Sequence, residues 1–283
     1  MKKRKTLFTV LLSLALLCVL VYAIVCAYMY AEQRSMMYQS RHTHSRAAPS
    51  NFELQRGDVT LRGWQAKPSE PYTHDTPERP EAATDALIYV GGNAEEISPN
   101  LEWFHALLPK QYVYMLAYRS FGGSEGEPTE DNLVNDAIAL FDEVKRRHPQ
   151  GKITLVGRSL GTGVASGVAA ARAPDRLVLV TPFDTMEKVV IDHYGWLPVS
   201  LLLKDHYNSA ARLQRYDGPI LVMRAGRDGL VRPPRTDGLL EALKGRKQAV
   251  QVKEFPQSHH SNISAQPGYG QALKDFVSGD DVK

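Results

Sequence analysis

Cysteine is scarce in this chain, and the positions of the cysteines exclude thiol chemistry from most of the molecule. The 283 residues include two cysteines, Cys18 and Cys26, both within the first 30 residues. The rest of the chain can therefore form no internal disulfide and has no cysteine nucleophile or metal ligand. The redox state of its compartment stays open.

A surplus of positive charge is missing outside the N-terminal region. Residues 1 to 46 hold seven of the 34 Lys and Arg residues but one of the 31 Asp and Glu residues. The remainder is mildly acidic, although the net charge of the whole chain is +3. Nucleic-acid-binding domains usually present a basic patch or stripe, so we expect no nucleic-acid partner.

Charge is absent from residues 6 to 30, which follow a basic cluster at residues 2 to 5. An apolar helix of this length can cross a bilayer core of roughly 30 Å, so residues 1–30 are predicted to be a membrane anchor. A cleaved signal peptide is the competing interpretation, but its apolar core would be about 7 to 15 residues long, with a small-x-small cleavage site. The basic cluster favours a cytoplasmic N-terminus, which places the rest of the chain on the other side, the periplasm in a bacterium.

Two polar segments are predicted to lack regular structure. Residues 31–50 are rich in Arg, His and Ser and show no apolar periodicity, which indicates a tether. Residues 67–85 contain several prolines, which indicates a loop. Residues 51–283 are predicted to form one domain.

From Asp58 onward, short apolar runs alternate with segments of helical length. Strands are predicted at residues 59–65, 86–90, 113–117, 153–156, 177–180, 220–224 and 249–255, and helices at 101–108, 130–147, 160–171, 236–243 and 269–277. This alternation predicts an α/β fold with a mostly parallel central sheet and helices on both faces. Residues 186–215 interrupt it with aromatic and leucine side chains, so they are predicted to form a short cap; ordinary surface helices are the alternative.

One five-residue motif joins a predicted strand to a predicted helix. Gly157-Arg158-Ser159-Leu160-Gly161 has the G-x-S-x-G pattern, whose serine lies on a sharp turn that exposes its hydroxyl. The glycines remove Cβ atoms that would clash with the neighbouring strand and helix. Ser159 is therefore the candidate nucleophile, and a helix-capping serine is the alternative.

A serine nucleophile requires a histidine base that is oriented by a carboxylate. Asp228 follows the strand 220–224 and is the candidate acid, although Asp228-Gly229 is also a common turn pair. Asp184, after the preceding strand, is the alternative candidate for the acid. His259 and His260 both follow the last predicted strand, and position alone does not choose between them as the base.

The oxyanion formed during acyl transfer requires hydrogen-bond donors. One candidate is the backbone N–H of Leu160, next to the nucleophile. The second is the N–H of Asn93, or of Ala94, in the loop that begins with Gly91 and Gly92. The alternative is that these glycines only turn the chain.

Residues 52 to 278 resemble the membrane-anchored α/β-hydrolases of the prolyl-oligopeptidase-like and lysophospholipase-like groups, which are related to the acyl-protein thioesterases. The resemblance is carried by Gly63-Trp64, Gly92-Asn93-Ala94, residues 118–128, the Ser159 motif and the Asp228 loop. It implies the α/β-hydrolase fold and favours His260 as the base, because the family's terminal His-Asn-Asp pattern aligns with residues 260–262.

The chain departs from this family at two positions. Gly91 stands where the family usually has histidine, which puts the support of the oxyanion loop in doubt, and Ser120 stands where it usually has glycine. Arg119 is expected to brace loops through hydrogen bonds to carbonyls or carboxylates; substrate binding is its alternative role.

The expected function is hydrolysis of carboxylic esters or thioesters through an acyl-enzyme on Ser159, Asp228 and His260. A small-molecule or lipid-like acyl substrate is expected, and no metal or organic cofactor is implied. A prolyl-oligopeptidase-like peptidase and a non-catalytic binding module are the alternatives, because fold alone does not define function. The residues do not indicate the oligomeric state.

Overall fold

The computed structural model describes residues 2–43, 49–69 and 80–279. In these residues, eight strands form one sheet in the order β1-β2-β4-β3-β5-β6-β7-β8. The strands are β1 (Phe52–Arg56), β2 (Val59–Ala66), β3 (Ala86–Val90), β4 (Tyr112–Leu116), β5 (Ile153–Arg158), β6 (Arg176–Val180), β7 (Ile220–Ala225) and β8 (Val250–Phe255).

The helices lie between and beside these strands along the chain. They are α1 (Lys2–Met37), α2 (Asn100–Leu107), α3 (Glu130–Arg147), α4 (Leu160–Arg172), α5 (Met186–Tyr194), α6 (Val199–Leu202), α7 (Ser209–Leu213), α8 (Pro233–Ala242) and α9 (Tyr269–Ser278). Most boundaries agree with the predicted ones to within one or two residues.

The predicted α/β-hydrolase fold is confirmed. Strands β3 to β8 pair in parallel, and β2 is antiparallel to both β1 and β4. Every residue of β3 is buried. Because successive side chains of a strand point to opposite faces, this burial means that both faces of the sheet are covered.

Strand β1 is absent from the predicted elements. It pairs with β2 through a two-residue turn at Gly57-Asp58, where Gly57 has a φ of 66°. The signal in the sequence was the alternation of Phe52 and Leu54 with polar residues just before a Gly-Asp pair, a pattern typical of a tight hairpin.

Helix α1 is long and apolar enough to cross a membrane, which fits a single-pass anchor at the N-terminus. The structure differs from the predicted tether, because α1 continues through residues 31–37 and then docks on the sheet domain. Arg34 forms an ion pair of 3.0 Å with buried Asp205, and the hydroxyls of Tyr38 and Tyr207 are 2.8 Å apart. These tertiary contacts order residues whose own pattern indicates no structure; residues 44–48 of the predicted tether lie outside the described residues.

The segment predicted to be a cap contains α5, α6 and α7. Thr185 caps α5 by accepting a hydrogen bond from the Lys188 N–H, which explains where this helix begins. Of the predicted loop at residues 67–85, residues 70–79 lie outside the described residues, and Glu81–Ala83 form one turn of 3₁₀-helix.

Candidate active site

Ser159 lies at the junction of β5 and α4 in a strained backbone conformation. Its φ of 52° and ψ of −120° are unfavourable for a residue with a side chain, and such strain is typical of functional turns. The Ser159 N–H donates to the Val180 carbonyl at 2.9 Å, which fixes the turn against β6. The strain presents the Ser159 hydroxyl at the carboxyl end of the sheet.

The two glycines of the motif make this turn sterically feasible. A Cβ on Gly157 would lie 2.5 Å from the Gly161 carbonyl oxygen and 2.8 Å from the Ala165 Cβ. A Cβ on Gly161 would collide with the Val90 carbonyl and lie 2.6 Å from that of Gly91. The second glycine therefore lets α4 approach the end of β3.

His260 bonds directly to Ser159. Its Nε2 lies 2.8 Å from the Ser159 Oγ, and its Nδ1 lies 2.7 Å from the Asp228 Oδ2. The loop after β8 delivers the histidine, and the loop after β7 delivers the aspartate. The three side chains thus form one continuous hydrogen-bonded chain.

Asp228 is held in place by its own backbone neighbours. Its Oδ1 accepts hydrogen bonds from the N–H groups of Leu230 and Val231 at 2.9 and 2.8 Å, and its side chain is 3% exposed. The other oxygen remains for His260. A carboxylate fixed in this way can hold an imidazole in one tautomer, with its Nε2 free to accept a proton.

The alternative residues have other partners. The exposed His259 places its Nδ1 3.0 Å from the Arg227 carbonyl. The alternative acid Asp184 accepts from the Lys188 Nζ at 2.7 Å and from the Thr185 N–H. Among the described hydrogen bonds, neither His259 nor Asp184 bonds to Ser159 or His260.

The two predicted oxyanion donors line the same cavity as Ser159. Leu160 is the first residue of α4, where N–H groups have no partner within the helix. Asn93 uses its other polar groups elsewhere: its side-chain amide donates to the Met37 carbonyl at 3.1 Å, and its carbonyl accepts from the Gln39 N–H at 3.0 Å. No described residue accepts a hydrogen bond from the backbone N–H of Asn93 or Leu160, so both donors can serve a ligand.

We call residues 91–95, which include the candidate donor Asn93, the oxyanion loop. The carboxylate of Glu95 holds this loop in place. The Glu95 carboxylate accepts hydrogen bonds from the Gly92 N–H, the Tyr89 hydroxyl, the Asn100 amide and the Arg158 guanidinium, all between 2.7 and 3.0 Å. Burial raises the pKa of Tyr89 well above its usual value, so this phenol remains a donor. Nothing in the predicted site indicated this carboxylate.

Arg158 connects the oxyanion loop to the histidine loop. Its Nη1 donates to Glu95 at 3.0 Å, and its Nη2 donates to the Ser261 carbonyl at 3.3 Å. The sequence shows that Arg158 precedes Ser159 in the motif, but the partners of Arg158 lie about 60 and 100 residues away along the chain. Arg158 therefore links both sides of the site.

The departures at residues 91 and 120 have structural explanations. A Cβ on Gly91 would collide with the Ile97 side chain, and the Gly91 carbonyl accepts from the Tyr118 hydroxyl at 2.7 Å. Burial raises the pKa of Tyr118 well above its usual value, which keeps its hydroxyl proton. Ser120 has a φ of 62°, the left-handed region that favours glycine, so serine is tolerated there at a small conformational cost.

Arg119 binds a carboxylate, as expected for a bracing residue. Its guanidinium donates two hydrogen bonds to Asp136 of α3, at 2.8 and 3.1 Å. It does not line the cavity beside Ser159. This ion pair ties the loop after β4 to α3.

An apolar cavity of about 190 Å³ opens beside Ser159. Its walls come from three regions: the end of α1, the loops around Ser159, and α5 with the segment that follows α6. The lining residues are Met29, Gln33, Met36, Met37, Asn93, Ser159, Leu160, Phe183, Met186, Val189, Val190, Tyr194, Leu203, Leu230 and Val231. The part of the chain that the structure describes contains no cluster of three or more metal-ligating side chains.

Comparisons with known proteins agree with this fold. Residues 82–204 match the family described as serine aminopeptidase, S33, a range that includes the oxyanion loop and Ser159 but ends before Asp228 and His260. Over this range the chain is similar to that family, and its fold is the α/β-hydrolase fold.

Two curated relatives are similar in sequence. An uncharacterized protein of Mycobacterium tuberculosis is 35% identical over 170 residues, which cover 59% of this chain and 60% of that relative. The lysophosphatidylserine lipase ABHD12 of Danio rerio is 29% identical over 278 residues, covering 83% of this chain and 70% of the relative. The chain thus spans about three fifths of the mycobacterial relative.

Solved structures share the fold at low sequence identity. Est1E from Butyrivibrio proteoclasticus superposes with a TM-score of 0.63 and 14% identity over 82% of this chain and all of that chain. At this identity, the likeness concerns the fold alone.

Proposed function

We propose that this protein is a membrane-anchored serine hydrolase that cleaves carboxylic esters or thioesters through an acyl-enzyme on Ser159. The observation that carries the proposal is the 2.8 Å hydrogen bond between the Ser159 Oγ and the His260 Nε2. A serine hydroxyl is a weak nucleophile until a base takes its proton, and this contact provides the base. The partial match to the serine aminopeptidase, S33 family and the lipase among the relatives support hydrolysis.

The reaction proceeds in two halves. His260 accepts the Ser159 proton as the Oγ attacks the acyl carbon, and Asp228 stabilises the resulting imidazolium. The N–H groups of Leu160 and Asn93 donate to the oxyanion, and its collapse expels the alcohol or thiol, which takes the proton from His260. A water molecule deprotonated by His260 then attacks the acyl-enzyme, releases the acid and restores Ser159.

The acyl group that fits the cavity is apolar. Methionine, valine and leucine side chains predominate in its lining, and the polar side chains there are Asn93 and Ser159 at the reacting end, Gln33 and Tyr194. The relative in Danio rerio is a lysophosphatidylserine lipase, which supports a lipid-like ester. We therefore place lipid esters ahead of short water-soluble esters as substrates.

An aminopeptidase is the second candidate, because residues 82–204 match a family described by that activity. An aminopeptidase must bind the ammonium group of its substrate, usually with a carboxylate. Among the described residues, no Asp or Glu lines the cavity. This chemistry favours the ester.

The proposed localisation is a single-pass membrane protein with its N-terminus in the cytoplasm and the catalytic domain on the opposite side. The basic cluster before the span supports this orientation. The docking of residues 33–39 on the domain supports retention of the helix, since cleavage inside this region would remove Arg34 from buried Asp205. Ser278→Cys at this exposed position, in a chain that also carries Cys18→Ala and Cys26→Ala, would report sidedness through labelling by an impermeant maleimide in intact cells.

Labelling with a fluorophosphonate probe tests the nucleophile. The native chain should react covalently, and Ser159→Ala should not. Ser261→Ala removes an exposed hydroxyl in the histidine loop and should label like the native chain. Equal labelling of Ser159→Ala, or no labelling of the folded native chain, would contradict the proposal.

Turnover of nitrophenyl esters with increasing acyl length, compared with aminoacyl amides, tests the substrate class. We expect the rate to rise with acyl length until the cavity is filled. A clear preference for the amides would favour the peptidase alternative.

A further inference from the structure

Exposed apolar side chains are concentrated from the last turn of α5 through α6. Trp196 is 59% exposed and Leu201 is 83% exposed, and Ile191 and Tyr194 are exposed nearby in sequence. We call residues 191–201 the cap tip. Apolar side chains grouped on a surface usually mark contact with a protein, a ligand or a membrane.

The cap tip touches α1 within its apolar span. The Tyr22 hydroxyl donates to the Trp196 carbonyl at 3.0 Å, and the two rings lie 6.4 Å apart. About 20 helical residues cross a core of about 30 Å, so a span that starts at Thr6 ends near Val25. Tyr22 then lies about 5 Å inside the hydrocarbon boundary, close to the level that tryptophan prefers.

Contacts between α1 and the domain become polar farther along the helix. The Lys204 Nζ lies 4.0 Å from the centre of the Tyr30 ring, and the Lys204 N–H donates to the Gln33 side chain at 2.7 Å. Arg34 pairs with Asp205 at 3.0 Å. The contacts along α1 thus change from apolar at Tyr22 to charged at Arg34, as the surroundings of a membrane helix change from hydrocarbon to water. This change identifies the surface that the cap tip meets as a bilayer.

The cavity beside Ser159 extends toward this same region. Met29 and Met36 of α1 line it, together with Val190 and Tyr194 of α5. The anchor is thus a structural part of the cavity as well as an attachment to the membrane.

We propose that the cap tip inserts into the leaflet crossed by the C-terminal half of α1, and that an acyl chain enters the cavity from this leaflet between α1 and α5. The entry of an ester rests on the proposed function. The membrane contact of the cap tip does not rest on the proposed function. It follows from the exposure of the apolar side chains of the cap tip and from the depth of Tyr22 in the bilayer.

Fluorescence quenching tests the membrane contact without any need for activity. The full-length protein is reconstituted into phosphatidylcholine vesicles that carry bromine on their acyl chains. The chain has three tryptophans: Trp64 is buried, Trp103 packs against Tyr269, and Trp196 lies in the cap tip. Bromine should quench the native chain and Trp103→Phe, and Trp196→Phe should lose most of this quenching. Equal quenching in Trp196→Phe and the native chain, or none in the native chain, would overturn the proposal.

A charge in the cap tip tests the entry of substrate. Leu201→Glu should lower turnover of a long-chain ester dissolved in the vesicle by about fivefold or more, because a carboxylate is costly in the membrane. Turnover of a short water-soluble ester should stay unchanged, since Leu201 does not line the cavity. Val252→Glu places the same charge on the exposed edge strand β8 and should affect neither ester.

The outcomes separate the two proposals. Equal loss with both esters, or no loss with the membrane ester, would overturn entry from the leaflet. If the native chain hydrolyses neither ester, the proposed function fails, and the quenching result still decides whether the cap tip meets the membrane.

Discussion

Two regions flank the Ser159 hydroxyl, and they are held in place in different ways. The turn from β5 to α4 depends on residues within the motif itself, chiefly Gly157 and Gly161. The oxyanion loop depends on distant residues, including Arg158 and the Gln39 N–H. One side of the site is therefore set by local sequence, and the other side by tertiary contacts that reach back to the residues just after α1.

The largest expected effect lies among the reacting groups. Removal of the base in His260→Ala should lower kcat by about 10⁶-fold, as in other enzymes with this arrangement. His259→Ala removes the neighbouring imidazole, which bonds to the Arg227 carbonyl, and should keep nearly native turnover of a short nitrophenyl ester. Equal activities of the two variants would refute the assignment of the base.

A substitution where the two regions meet should cost stability. A Cβ on Gly161 would collide with the Val90 carbonyl, so Gly161→Ala should lower the free energy of unfolding by about 3 kcal/mol. Urea unfolding of the full-length protein in detergent measures this. Gly229→Ala is the matched control, because its Cβ would meet no atom within 4 Å. Similar losses in both variants would mean that the close approach of α4 to β3 is not the cause.

Weakening the support of the oxyanion loop should affect catalysis more than binding. In Glu95→Gln, an NH₂ group that donates replaces one of the two acceptor oxygens and faces other donors. The loop then has fewer acceptors for hydrogen bonds such as that from the Gly92 N–H. We expect kcat to fall by about 10- to 100-fold with little change in KM, because the oxyanion exists only near the transition state. Glu102→Gln on exposed α2 is the control. A change in KM alone would contradict this role.

The smallest predicted effect tests the contact between the segment that follows α1 and the oxyanion loop. Gln39→Pro removes the N–H that donates to the Asn93 carbonyl, whereas Gln39→Ala keeps it. Loss of one hydrogen bond should lower kcat by about three- to tenfold in the proline variant only. Equal rates of the two variants on a short soluble ester would show that catalysis does not depend on the hydrogen bond between Gln39 and the oxyanion loop.

Local signals predicted most of the sheet and the position of Ser159. Continuous apolar runs marked β3 and β5 because both faces of these strands are buried. The strand-turn-helix context of Ser159 was also local, since five consecutive residues carry it. The polar residues 31–43 gave no such signal, because their order depends on partners such as Tyr207 and Asp205.

The choice between His259 and His260 shows the limit of local reasoning. Both follow β8, and only resemblance to a family favoured His260. In the fold, the loop after β8 brings the His260 ring between Ser159 and Asp228 and leaves the His259 ring at the surface. A one-residue difference in a loop has no periodicity that a sequence pattern could show.

By itself, the sequence determined an apolar N-terminal helix, a mostly parallel α/β sheet and a serine on a turn between strand and helix. These features follow from hydrophobic periodicity and from the steric demands of glycine, which act between near neighbours. The tertiary structure alone decided that Glu95 and Arg158 support the oxyanion loop and that the end of α1 lines the cavity. These contacts join residues far apart in the chain, and their geometry exists only once the sheet has brought its loops together.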